Sequence, residues 1–154
     1  MDVQVIGIRG DATFERMVEH FTSLGGDVVI MDPMYVCGKD HVISAVMHAE
    51  RSFEQGTNRS KTLLTEIILY VAGERQISKA MERMRPKQGC KEYALALLNV
   101  GGDLRLGEIG MERDDSILLA TKEKAERMGL KNPFGIPYED LALETVAMLD
   151  LAKY

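Results

Sequence analysis

The sequence predicts one α/β (α+β) domain over residues 1–154, with a small mixed or antiparallel sheet packed with several helices. Three observations lead there. Short runs with strand-like alternation are interleaved with longer runs of helical period. Glycine and proline punctuate the junctions between them. A chain of 154 residues with a hydrophobic fraction of 45% and a charged fraction of 28% suits one globular domain with a sizeable core.

The elements follow in order. Val3–Arg9 alternates apolar with small or polar residues and suits a first strand. Asp11 or Thr13 can cap a helix in which Phe14, Met17, Val18, Phe21 and Leu24 recur at helical spacing, and Gly25-Gly26 ends it. Asp27–Met31 is a compact apolar strand broken by Asp32-Pro33. A second helix starts near Asp40, carries Ile43, Val46, Met47 and Phe53 on one face, and closes at Gly56. A third runs from about Ser60 to Ala72 and is apolar nearly all round, as an interior helix is. Gly73 interrupts it. Ile77, Ala80, Met81 and Met84 then give the next helix one buried stripe, which Pro86 and Gly89 stop.

Lys91–Val100 fits a buried strand, with a helix left open by period alone, and Gly101-Gly102 is a turn. Asp103–Asp115 is charged and ambiguous. Thr121 can cap a short helix, Lys122–Met128, ending at Gly129. Asn132–Pro137 reads as a structured loop, and Pro137 stands at the first position of a C-terminal helix, where its missing donor costs nothing.

Composition narrows the function classes. No apolar run reaches the ~18–20 residues that span a bilayer, and the start Met1-Asp-Val-Gln-Val lacks the pattern of a signal peptide. Two isolated cysteines, Cys37 and Cys90, make no disulfide framework, so a reduced cytoplasmic setting is expected. The net charge of −5 argues against general nucleic-acid binding, and no DNA partner is expected. The charge is uneven, however. Residues 50–91 hold nine basic and five acidic side chains, a surplus of four in an otherwise acidic chain. Such an island can receive an anion while the rest of the surface repels it; a solvated helix face is the equal alternative.

Motifs for catalysis are missing. Gly38-Lys39-Asp40 lacks the first glycine and the hydroxyl of a phosphate loop. His41 and His48 have no evident third metal ligand, and Cys37 near His41 has no orienting group, so both read as structural. Glu112, Asp114 and Asp115 read as a solvated acidic loop. No cofactor and no metal are expected. Two classes remain: a binding or regulatory subunit without catalysis, which this favours, and a stand-alone small-molecule enzyme of an unrecognised class.

The stretch Thr65-Glu-Ile-Ile-Leu-Tyr-Val-Ala-Gly-Glu-Arg-Gln-Ile-Ser-Lys-Ala80, preceded by Asn58-Arg59-Ser60 and followed by the strand Tyr93–Val100, resembles a family signature. It is that of the small kinase-binding regulatory subunit of the KEOPS complex, which makes threonylcarbamoyl-adenosine in tRNA. The specific likeness covers about a quarter of the chain; residues 101–131 are too loosely patterned to carry it. The resemblance implies a protein that is not an enzyme, that binds the small atypical kinase/ATPase of that complex, and that, as in archaeal members, holds the tRNA 3′ CCA tail.

Residues for both partners can be named. Asn58, Arg59, Ser60 and Lys61 cluster at a helix N-terminus, where anions are favoured. Arg75 and Gln76 cluster at the glycine break with Lys79 beyond, and capping of the third helix's last carbonyls is the open alternative for the first two. Basic groups would meet phosphates, while Asn58, Ser60 and Gln76 would read bases or sugar hydroxyls. The clusters stand at opposite ends of a ~12-residue helix, roughly 18 Å apart, so one trinucleotide reaches both only if the chain folds back. Glu66 can be a buried partner of Arg75 or of another base. For the kinase, Leu143 and Val146 fall outside the main C-terminal helix face, Met17 and Phe21 of the first helix are rivals, and packing of both helices on the sheet is the alternative.

Overall fold

The run Glu92-Tyr-Ala-Leu-Ala-Leu-Leu98 is a strand, and it lies inside the sheet. In a computed structural model that describes residues 1–152, strands β1 (Val3–Gly10), β2 (Asp27–Met31), β3 (Glu92–Leu98) and β4 (Met111–Arg113) form one sheet in the order β2-β3-β1-β4. All three pairings are antiparallel. The last two residues of the expected 1–154 domain lie outside the described residues.

Alternation along the strands sends side chains to two separate cores. Val5, Val29, Met31, Ala94, Ala96 and Leu98 face one side; Ile6, Ile8, Val28, Ile30, Tyr93, Leu95 and Leu97 face the other. A sheet buried on both faces reads as a continuous apolar run, which explains why period alone left β3 open. Helix α1 (Phe14–Ser23) covers the second face. Helices α2 (Lys39–Gln55), α3 (Leu63–Ala72), α4 (Ile77–Met84) and α6 (Tyr138–Ala152) build the first core, and the short α5 (Lys122–Arg127) flanks it. No helix among the described residues is long and apolar enough to cross a membrane.

Several helix ends are as expected. Thr13 and Thr121 accept the amide three residues on, at 3.1 and 3.2 Å, and so start α1 and α5; α3 starts later than the expected Ser60, at Leu63, because Thr62 makes the same cap at 3.2 Å. Gly73 ends α3 at φ 63°, and a Cβ there would lie 2.3 Å from the Thr145 methyl of α6. Both the left-handed backbone and the close approach demand glycine. The C-terminal helix begins one residue later than expected, at Tyr138; Pro137 precedes it and its carbonyl accepts from the Leu141 amide. The ambiguous 103–115 stretch contributes a short helical turn, Leu106–Ile109, and the edge strand β4.

The face of α2 differs from the sequence reading. Its buried residues are His41, Val42, Ala45, Val46, Ala49 and Ser52, while Met47 is exposed and Ile43 and Phe53 are half-buried. Small residues let α2 approach α3 and the sheet closely, whereas a reading weighted by side-chain size selects the large ones. On α4, Ala80 and Met84 are buried but Ile77 is exposed.

Candidate functional site

The basic loop before α3 is organised around a carboxylate. Glu66, in the first turn of α3, is fully buried. It accepts the amides of Arg59 (3.1 Å) and Ser60 (3.0 Å) and the hydroxyls of Ser60 (3.0 Å) and Ser52 (3.0 Å). A carboxylate at a helix N-terminus is also favoured by the helix dipole. Glu66 is therefore the buried partner of a loop rather than of Arg75. The anion-favouring place at this helix start is filled by the chain itself.

This decides which loop residues face outward. Ser60 is buried, its hydroxyl spent on Glu66 and the Thr62 carbonyl, so it is removed from the expected tRNA contacts. Asn58 is half-buried and its side-chain amide donates to the Ser60 carbonyl (2.9 Å). Arg59 and Lys61 are exposed. The Arg59 guanidinium donates to the Ala152 carbonyl at the far end of α6 (3.3 Å).

At the glycine break, Arg75, Gln76 and Lys79 are all exposed. Glu74 turns back to accept the amides of Arg75 (3.0 Å) and Gln76 (3.3 Å). The expected alternative, capping of α3 by Arg75 or Gln76, is taken by Arg83, whose guanidinium donates to the Ala72 carbonyl (2.9 Å). The side chains of Arg75 and Gln76 stay on the surface.

Helix α6 links the two clusters. It runs antiparallel to α3, with Thr145 against Gly73, Asp150 hydrogen-bonded to Tyr70, and Ala152 beside Arg59. Asp150 also pairs with His48 of α2, so one carboxylate ties three helices together. An open cleft of about 680 Å³ follows α6 from Gly73, Glu74 and Arg75 to Ala152, and its far wall is the 130–136 loop. Arg75 lines one end of this cleft; at the other end is Ala152, which Arg59 meets, while residues 58–61 do not line it themselves. Sequence reasoning missed Lys131, Asn132 and Phe134 on that wall. Their only signal was an aromatic residue between a proline and a glycine.

The expected kinase contacts fare differently. Met17 and Phe21 are fully buried against the sheet, and Val146 is fully buried in the helical core. Their apolar surface is consumed by intramolecular packing, which removes all three from the accessible surface. Leu143 is half-buried. It belongs to an outward stripe with Ala147, Met148 and Leu151, the last two 53% and 70% exposed.

Other reactive groups are engaged structurally. His41 Nδ1 accepts the Cys37 amide (3.0 Å) and Nε2 faces the Val71 carbonyl (3.0 Å), so the ring contacts the Cys37 backbone and not its thiol. Burial, with help from nearby Lys124, pulls the His41 pKa down to about 4 against the Val71 carbonyl, keeping the ring neutral. Burial likewise raises the Cys37 thiol. The buried Lys124 ammonium donates to the carbonyls of Val36 (2.9 Å) and Ile117 (2.7 Å). The acidic loop is solvent-exposed at Glu112, as expected, and it also carries ion pairs to Arg9, Lys39 and Arg113. Burial opposes ionisation of Asp115, yet Arg113, Lys39 and the Gly7 amide hold its carboxyl well below the usual range. Among the described residues no group of three or more His, Cys, Asp or Glu side chains could hold a metal ion.

A family model described as kinase binding protein CGI-121 matches residues 15–128. The match spans more than half of the chain and takes in residues 101–128. Comparison with curated proteins gives no match.

Proposed function

The chain belongs to the CGI-121 family of kinase-binding proteins, and from that premise we propose that it is the non-catalytic regulatory subunit of the KEOPS complex. In this reading it works in the cytoplasm, binds the small atypical kinase/ATPase subunit, and holds the 3′ CCA tail of tRNA. The observation that carries the RNA half is the cleft along α6, which joins Arg75 to the end of the helix where Arg59 lies. Arg59, Lys61, Arg75 and Lys79 supply phosphate contacts; Asn58 and Gln76 supply polar contacts to bases or ribose. The outward stripe Leu143-Ala147-Leu151 of α6 supports the kinase half, since an apolar stripe on a surface helix is a usual docking element.

Binding of one tRNA with and without its terminal CCA tests the RNA half. The expected result is tighter binding of the complete tRNA. Arg59→Ala, Lys61→Ala and Arg75→Ala should each weaken it and flatten its salt dependence by about 0.7 per lost contact. Equal affinity for the two tRNAs would remove tail recognition and leave a kinase-binding subunit. Co-purification with the kinase tests the other half: Leu143→Asp with Leu151→Asp should abolish it, and retention would exclude this stripe.

A further inference from the structure

Phe134 is the most exposed large apolar side chain among the described residues, at 86%. Its loop is nonetheless pinned. The Asn132 side chain accepts the Ile136 amide (2.7 Å) and donates to the Ile136 carbonyl (2.6 Å), closing the turn around Phe134 and Gly135. The ring is therefore held away from the core by the local hydrogen bonding of the loop. It stands at the wall of the α6 cleft, together with Ile136, Leu141 and Met148, and with Arg75 and Lys131 as its cationic groups.

We propose that Phe134 is a stacking platform for an unpaired RNA base, with Lys131 and Arg75 as flanking phosphate contacts. This rests on the RNA reading above and adds the residues that would receive the base itself. An aromatic ring on a pinned loop loses little conformational freedom on binding, and any base can stack on it because every base has a π face. The cleft volume of about 680 Å³ lies within the ~300–1,000 Å³ typical of small-ligand clefts. Glu74 and Glu144 also line the cleft. Their carboxylates can accept from ribose hydroxyls or exocyclic amines, while Lys131 and Arg75 are the lining groups that can meet phosphate. An apolar protein partner would leave the two cations and the two carboxylates without use, so the charge pattern favours a nucleotide.

The test uses the full chain and two probes of the same sequence, an RNA oligonucleotide with a single-stranded 3′ end and one whose end is closed in a duplex. Phe134→Ala should weaken the single-stranded probe on the order of 10–100-fold, whereas Phe134→Trp should retain it. Stacking releases no counterions, so the salt slope should stay at the wild-type value in Phe134→Ala while Arg75→Ala lowers it by about 0.7. Two results overturn the platform: loss from Arg75→Ala with none from Phe134→Ala, or an equal loss for both probes. A Phe134→Ala variant that binds RNA normally but loses the kinase would make the ring a protein contact and also overturn it. If Arg59→Ala, Arg75→Ala and Phe134→Ala all bind like wild type, the RNA reading itself fails.

Discussion

Glu66 and Ser60 are joined twice: the carboxylate accepts both the amide and the hydroxyl of Ser60, each at 3.0 Å. The pair welds the basic loop to the start of α3. Glu66→Gln puts an amide donor against donors already present, which leaves at least one buried group unsatisfied. The expected loss of stability is about 1–3 kcal/mol. Urea denaturation measures it, and hydrogen exchange at the Arg59 and Ser60 amides should quicken ahead of global unfolding. Unchanged exchange at both amides would mean that the loop is held by something else.

His41 makes stability depend on pH. Its folded pKa of about 4 lies below the unfolded value of 6.5, so protonation favours the unfolded chain. The contribution is complete above about pH 6.5 and is lost progressively as pH falls toward 4. At full extent it is about 3 kcal/mol at 1.36 kcal/mol per unit. Urea midpoints compared between pH 7 and pH 5 should drop in the wild type. His41→Gln should flatten that difference, although its midpoint at pH 7 will itself be lower. A wild-type midpoint that stays level between pH 7 and 5 would contradict the neutral buried ring.

Gly73→Ala should destabilise the chain more than an ordinary surface change. The left-handed backbone costs about 1–2 kcal/mol with a Cβ. The clash with Thr145 adds to it, because the contact would be 2.3 Å. Thr145→Ser removes the methyl that the new Cβ would meet. In the double variant part of the loss should return, and thermal melting of the four chains reads the coupling.

Val146 and Leu143 separate burial from apolarity on one helix. Val146→Asp places an unpaired carboxylate in the core and should abolish cooperative folding, since Val146 is fully buried. Leu143→Asp should fold, with a melting shift no larger than a half-buried site allows. Circular dichroism melts distinguish the two, and a folded Val146→Asp would show that α6 does not pack as described.

Much of the local architecture was legible in the residues. Thr13 and Thr121 mark helix starts because each cap is made to an amide three positions away; Thr62 makes the same cap for α3 but was passed over for Ser60. Gly73 marks the end of α3 for the same local reason, a φ of 63°. Glu66 stood out as polar inside an apolar helix, and its burial was foreseeable, but its partners were not.

The rest depended on contacts between distant segments. Arg59 meets Ala152 across 93 positions, and Tyr70 meets Asp150 across 80. No periodicity within a helix reports which neighbour will cover it. That is why Met17, Phe21 and Val146 looked as suited to a partner as to the core, and why the small-residue face of α2 was passed over. By itself the sequence determined most of the helices, several of their ends, the α+β class and the likeness to a kinase-binding family, since these follow from local backbone chemistry and short-range pattern; β3 and β4 were left to the sheet that pairs them. Only the tertiary structure decided that Ser60 turns inward, that Arg59 reaches α6, and that Arg75 and Phe134 share one cleft. Those relations arise from the antiparallel packing of α3 and α6, in which burial and long-range hydrogen bonds choose among faces that the pattern leaves equivalent.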